Sequence, residues 1–546
     1  MKLPSGKPPQ PPKIDTSRPE DTAGPSTTAP KSQAGTSDSL DPSQNSPITI
    51  HHETRNLPPL PAPLTPPSVS PSNIDDGKWK QIRYALTLES IYTSLHASSP
   101  FSETVLPFLS PDSAPHSPAL SQCLAELTGK PVLNSSPGES PRHRYKSFLK
   151  HYRALCDEAN DAPDRSPLQD KLAFITKQVA RTLFREVDIS TFPLELVQAV
   201  KTHSDPAQHF LPVTENSGHA IARRLFQSQQ LILKESEDLS EARTLNRRAR
   251  SIAGQLFGGE LGVNYDPFLQ GNTPYRLFSL QTEERSALCV RMGTTTSQTL
   301  PSNPEITPEF EHFIRSQLPS EHHLYINRQK RSGVEGQRSD VLEKSQNNDL
   351  LTSGLTVVTL PADGDFVSQS GHFGGEADAS KLKAALIRQA LKNKSGFYFP
   401  HHLIERFGGK DGFAQVLSDA FDKEAKTLGL PKNGPLSVPL RRAALFHFLN
   451  YRLVNLLVDT VEATSYNNTC KDDIDRGGMA NAYMFAMQHR PKPDAPRSEL
   501  ESFTQTLEGV TFAPALIVKK RGVVPHRFAD LINALNELDL WNGERP

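Results

Sequence analysis

The sequence predicts an α/β C-terminal domain preceded by an all-helical region and a disordered N-terminal leader. Three observations carry this. Residues 1–77 are dominated by Pro, Ser, Thr, Gln and Asp. From Trp79 to about Gly259, apolar residues recur at three- and four-residue spacing. Beyond Gly259, short β-rich runs alternate with helix-like segments. A chain of 546 residues is long enough for two or three domains and a sizeable core.

The leader, 1–77, has too few apolar residues to offset the entropy of ordering, which predicts disorder. Its start, MKLPSGKPPQPPK, lacks an apolar run, so no cleaved Sec signal is expected. Within it, RNLPPLPAPLTPP places Arg55, Pro58 and Pro61 three residues apart. Polyproline II has three residues per turn, so these share one face, as in RxxPxxP ligands of SH3 domains. A plain Pro-rich spacer is the alternative.

Four segments of 78–259 carry the helical period: KWKQIRYALTLESIYTSL, RYKSFLKHYRALCDEA, DKLAFITKQVARTLFREV and the long run from SGHAIARRLF to GQLFGG. The closing Gly pair is a helix stop. RRLF and NRRARS add positive charge, read as a solvated helix face, with contact to anionic lipid as the sharper alternative.

In 260–546 the strand candidates are SALCVRM (286–292), HHLYINR (322–328), LTVVTLP (355–361) and ALIVKKR (515–521). The helix candidates are ASKLKAALIRQALKN, GFAQVLSDAFDKEAKTLG, PLRRAALFHFLNYRLVNLLVDTVEAT and GMANAYMFAMQHR. Strands separated by helices predict a partly parallel sheet.

Net charge is −1, from 60 basic and 61 acidic residues, so no global field favours nucleic acid. Cys123, Cys156, Cys289 and Cys470 are too few and scattered for a disulfide framework or a zinc site, and reduced thiols are expected. The pairs His322–His323 and His401–His402 lack a third ligand at metal spacing, so no metal and no cofactor is expected. No run approaches the 18 or more apolar residues of a spanning helix, which leaves peripheral membrane contact.

The segment NNTCKDDIDRGG (467–478) holds the chemistry. Five residues between Cys470 and Arg476 can wrap an anion with their backbone N–H groups, and the arginine closes the ring as a bidentate clamp. A following helix directs its positive N-terminus at the same place. Such surroundings favour a thiolate able to attack phosphorus. Met479, Ala482, Tyr483 and Ala486 fall on one helical face, and Gly477 and Gly478 permit close approach at its start. An Asp-rich helix–helix turn is the bland alternative.

CKDDIDRGGM resembles the loop C-K-S-G-K-D-R-T-G-M of bacterial effector phosphoinositide phosphatases of the SopB/IpgD type, matching at Cys470, Lys471, Asp475, Arg476, Gly478 and Met479. It is also similar to the Sac-domain loop C-x-D-C-x-D-R-T-N, at Cys470, Asp472, Asp475 and Arg476. The resemblance covers about a dozen residues. It implies a phosphatase-like domain in which Cys470 is the nucleophile and Arg476 holds the transferring phosphoryl group. Lys471 would contact a neighbouring phosphate, and the substrate-binding loop would include Asp473, Ile474, Gly477 and Gly478. Gly477 stands where those families carry Thr or Ser, Ile474 replaces their second lysine, and Asp473 adds a negative charge.

A general acid is also needed. Asp475 and Asp472 are candidates, as is Asp365 in VVTLPADGDFVSQSG, where Pro361, Asp363, Gly364 and Asp365 follow an apolar strand. An ordinary turn explains ADGD equally well. VKKRG offers Lys519, Lys520 and Arg521 to a polyphosphorylated head group, or forms a solvated basic cluster.

The expectation is a cysteine-dependent phosphatase of phosphoinositides or inositol phosphates. It would be secreted without a Sec signal and act in host cytoplasm or at host membranes, with a secretion chaperone and a host SH3 domain as partners. Two alternatives stand beside it. One is a protein tyrosine phosphatase, against which Thr469 replaces the expected histidine. The other is a non-catalytic SH3-binding adaptor with a degenerate phosphatase domain.

Overall fold

The computed structural model describes residues 76–98, 117–128, 140–160, 166–189, 191–204, 213, 215–233, 265–298, 303–347, 354–431 and 434–538. Arg55, Pro58 and Pro61 lie outside these, as does NRRARS. The helical region contains helices Asp76–Ala97, Pro118–Thr128, Pro141–Asn160, Pro167–Arg185, Thr191–Ser204 and 218–233. Pro167–Arg185 shows why such segments form. Ser166 and Gln169 close a capping box, Pro167 fits the first turn, and Leu172, Ile175, Val179 and Leu183 form the buried stripe.

This region and the sheet share one core. Phe184 meets Phe268, Phe310 and Phe313, while Arg153 bridges Asp266 and Glu309. The described residues, from Asp76 to Leu538, fall in a single compact unit. Arg224 of RRLF is not on a solvated face. It is buried and paired with Glu508 on helix Arg497–Lys519.

Among the described residues, the main sheet has five strands in the order β1 (Tyr275–Gln281), β2 (Ser286–Arg291), β7 (Ser465–Thr469), β5 (His323–Asn327) and β6 (Leu355–Thr359). Strands β2, β7, β5 and β6 are parallel, and β1 is antiparallel at the edge. A two-stranded ribbon of β3 (Thr296–Ser297) and β4 (Glu305–Ile306) stands apart. The fold is therefore a mixed α/β sheet with helical layers, which agrees with the coarse expectation.

Three predicted strands are present: β2, β5 and β6. The fourth, 515–521, is not a strand. It lies at the C-terminal end of helix Arg497–Lys519, whose Leu500, Phe503, Leu507 and Val510 are buried at helical spacing. A short apolar run by itself does not distinguish helix from strand, and here tertiary packing chooses the helix. Conversely, β7 falls in a polar stretch that shows no strand signal.

All five residues of β7 are buried. His323 lies 2.9 Å from both Ser465 Oγ and Asn467 Oδ1, and Asn467 Nδ2 donates to Thr469 Oγ1 at 2.6 Å. Asn468 Oδ1 accepts from Arg328, and Asn468 Nδ2 donates to Asn481 Oδ1 at 3.2 Å. The Ser, Asn and Thr side chains of β7 are tolerated at the centre of this sheet because each has a partner. Among the described residues, no helix is long and apolar enough to cross a membrane.

Candidate active site

Strand β7 delivers Cys470 to the C-terminal end of the parallel strands, where α/β sites gather. Residues 471–475 bend, and helix Arg476–His489 starts at once. Cys470 is only 4 % exposed and is a free thiol, as are Cys123, Cys156 and Cys289. That helix is buried on all sides from Gly477 to Met487, not on the single face expected.

The loop is tied down through its carbonyls. Lys471 O accepts from Tyr265 Oη at 2.6 Å and from Thr294 N at 3.0 Å. Asp472 O accepts from Asn272 Nδ2 at 3.1 Å and Arg291 Nη2 at 2.5 Å, and Asp473 O accepts from Arg291 Nη2 at 3.3 Å. Among the described residues, the backbone N–H groups of 471–475 donate to no backbone acceptor outside the regular elements. Carbonyls engaged and amides free is the polarity an anion nest requires. Asp473 adopts φ 52°, the left-handed conformation that reverses the chain within the loop.

Each of the loop's carboxylates has its own partner. Asp472 pairs with Lys519 at 3.1 Å. Asp475 takes a two-pronged contact from Arg521, at 3.0 and 2.7 Å, and accepts from Val524 N at 3.0 Å. Asp475 consequently does not cap the helix that follows it. Lys519 and Arg521 of VKKRG thus pair with the loop's own acids.

Asp473 is fully buried, with Oδ2 3.7 Å from Arg291 Nε, and Oδ1 has no hydrogen-bond partner. Burial pushes its carboxyl well above the usual range, against the opposing pull of Arg291. The Asp473 and Ile474 side chains therefore do not act as substrate contacts. Asp473 lies beneath the loop and Ile474 in the hydrophobic core. Only their backbone remains for a ligand.

The two departures at Gly477 and Asp473 are coupled. A Cβ at Gly477 would overlap Asp473 Oδ1 and the carbonyl oxygen of Asn468. The space a Thr or Ser would need is filled by the aspartate and the strand backbone. Lys471 lies over the Tyr265 ring, its Nζ 4.6 Å from the centroid.

Arg476 is 12 % exposed at its side chain and is held by two acids. Glu335 receives a bidentate contact at 2.8 and 2.7 Å, and Asp363 accepts from Nη1 at 3.2 Å. Burial works against the Arg476 charge, but Glu335, Cys470 and Asp475 hold its pKa above the ordinary value. Burial likewise raises Glu335, yet its bonds to Arg476 win and bring it down to about 2.

The separate-loop carboxylate that meets Arg476 is Asp363, which Arg527 also contacts. Asp365 is exposed and accepts from Ser370 Oγ at 2.8 Å, so the structure does not bring it to Arg476. Sequence reasoning missed Glu335, Arg291, Arg328 and Tyr265. None of them lies near the loop in sequence, and no local pattern marks them.

No family model, curated protein or solved structure matches this chain. Among the described residues, no group of three or more His, Cys, Asp or Glu is arranged to hold a metal ion.

Proposed function

We propose that the chain is a cysteine-dependent phosphatase that hydrolyses phosphate monoesters of phosphoinositides or inositol phosphates. The observation that carries the reading is the run from central strand to Cys470, through an amide-lined loop, to Arg476 at a helix N-terminus. The inositol class rests on the loop's resemblance and on Lys471.

Cys470 Sγ attacks phosphorus and the bond to the leaving oxygen breaks, giving a phosphocysteine. The loop amides and Arg476 take the charge of the three non-bridging oxygens. The leaving oxygen receives a proton from a carboxyl group; Asp363 lies nearer Arg476 than Asp365 does, and its ion pairs with Arg476 and Arg527 open for it to carry that proton. Water then attacks phosphorus, returning the thiolate and inorganic phosphate. Glu335 fixes the Arg476 fork in its plane. Export without a Sec signal and action at host membranes extend this proposal, on the strength of the leader's composition and the loop's resemblance.

One observation favours a phosphate-free adaptor instead: Arg476 Nη1 and Nη2 are both engaged by acids, Glu335 and Asp363. Phosphate release from a panel of phosphoinositides and soluble inositol phosphates decides between them. Wild type is expected to release phosphate and Cys470→Ser to fall to background. Equal rates for the two proteins, or no release from any substrate, would sink the phosphatase reading.

A further inference from the structure

Arg328 follows strand β5 directly and is 1 % exposed. Its Nε and Nη2 donate to Asn468 Oδ1 at 3.2 and 2.9 Å, and Nη2 also donates to Leu449 O at 3.2 Å. Nη1 is buried without a partner. Among the described residues, no carboxylate forms an ion pair with this guanidinium. Burial draws its pKa down to about 9, which leaves it charged at neutral pH.

The groups that favour that charge are Cys470 and Asp473. Asp473 is itself driven toward its neutral form by burial. No carboxylate among the described residues pairs with it, and a buried guanidinium nitrogen left without an acceptor is costly. The unused Nη1 points to a ligand.

A cavity of about 550 Å³ lies where that ligand would sit. Arg328 and Gln329 line it, and Gln329 Oε1 is also buried without a partner. Phe366 and Phe373 supply apolar wall, exposed Lys330 and Arg331 add cations, Asp365 adds a carboxylate at the rim, and Asp363 links the cavity to Arg476.

We propose that Arg328 is an anion anchor separate from the Cys470 loop, receiving a second phosphate of the substrate while the loop holds the phosphate being transferred. This rests on the phosphatase reading above. The chemistry it selects is a ring carrying at least two phosphates, with the ring against the apolar wall. A lone phosphate ester held at the loop leaves Arg328 Nη1 without an acceptor.

The test compares kcat/KM on a soluble inositol bisphosphate with kcat/KM on p-nitrophenyl phosphate. Arg328→Met should lower that ratio by about ten- to a hundredfold, the loss of one charge-assisted contact. Arg328→Lys, which keeps the charge and guards against a folding defect, should restore part of it. An unchanged ratio in both variants overturns the anchor.

Calorimetric titration of Cys470→Ser with inositol hexakisphosphate separates this from the parent reading. Binding that weakens about tenfold or more in the Cys470→Ser, Arg328→Lys double variant supports the anchor even if the wild type releases no phosphate. Binding that ignores Arg328 sinks the anchor even if the wild type is an active phosphatase.

Discussion

Two buried basic side chains bracket strand β5 and meet burial in opposite ways. His323, at its start, is completely buried, and burial lowers its pKa to about 3. It is neutral, and both ring nitrogens are engaged by Ser465 and Asn467 on the neighbouring strand. Arg328, just past its end, keeps its charge and leaves one nitrogen unused. A base that can surrender its proton becomes part of the packing. A guanidinium cannot do so at neutral pH, and its unpartnered nitrogen marks a place for something else.

A third arrangement supplies the control. Lys201 and Arg224 are buried around Glu508, at 2.8 and 2.9 Å, with Ser228 donating to the same carboxylate and Glu501 pairing with Arg224 at 3.3 Å. Every charge in that cluster has a counterpart, so it serves the docking of helix Arg497–Lys519. Glu508→Ala takes the shared carboxylate from two buried cations, leaving Arg224 with Glu501, and should cost about 3–5 kcal/mol in urea unfolding. If instead it costs no more than an exposed ion pair, pairing is not what separates structural from functional buried charge here.

The His323 half of the comparison is tested by pH. Its folded pKa lies below its unfolded value, so the unfolded chain takes up the proton first. The stability it contributes is whole above about pH 6.5 and should shrink by roughly 1.4 kcal/mol per unit as pH falls toward 3. Unfolding free energies measured across that window should show the slope, and His323→Gln should flatten it.

The smallest effect is expected at Asp473, where the sign reverses. Its folded pKa lies above the unfolded value, so the native state retains a proton that the unfolded chain releases. Stability therefore declines as pH rises above the ordinary carboxylate range. Asp473→Asn should remove that decline and so raise stability at pH 7 relative to wild type, by the same denaturant assay. A loss of stability at pH 7 instead would mean Asp473 works as a charged partner of Arg291 and Arg328.

The sequence by itself determined the spacing from Cys470 to Arg476, the glycine-led helix after it, and strands β2, β5 and β6. These are local facts: residue order, turn chemistry and runs of β-branched residues. The tertiary structure alone decided that SYNNT is the central strand, because its asparagines find long-range partners in His323 on β5, in Arg328 just past it and in Asn481 on helix Arg476–His489. It decided that ALIVKKR ends a helix, because burial along Arg497–Lys519 outweighs local propensity.

It also chose Asp363 over Asp365 and filled the volume beside Gly477 with the Asp473 carboxyl. Arg328 and Cys470 lie far apart in the chain, and only the parallel pairing of β5 with β7 brings them together. Charge balance around a loop is a sum over neighbours in space, and no window of sequence contains that sum.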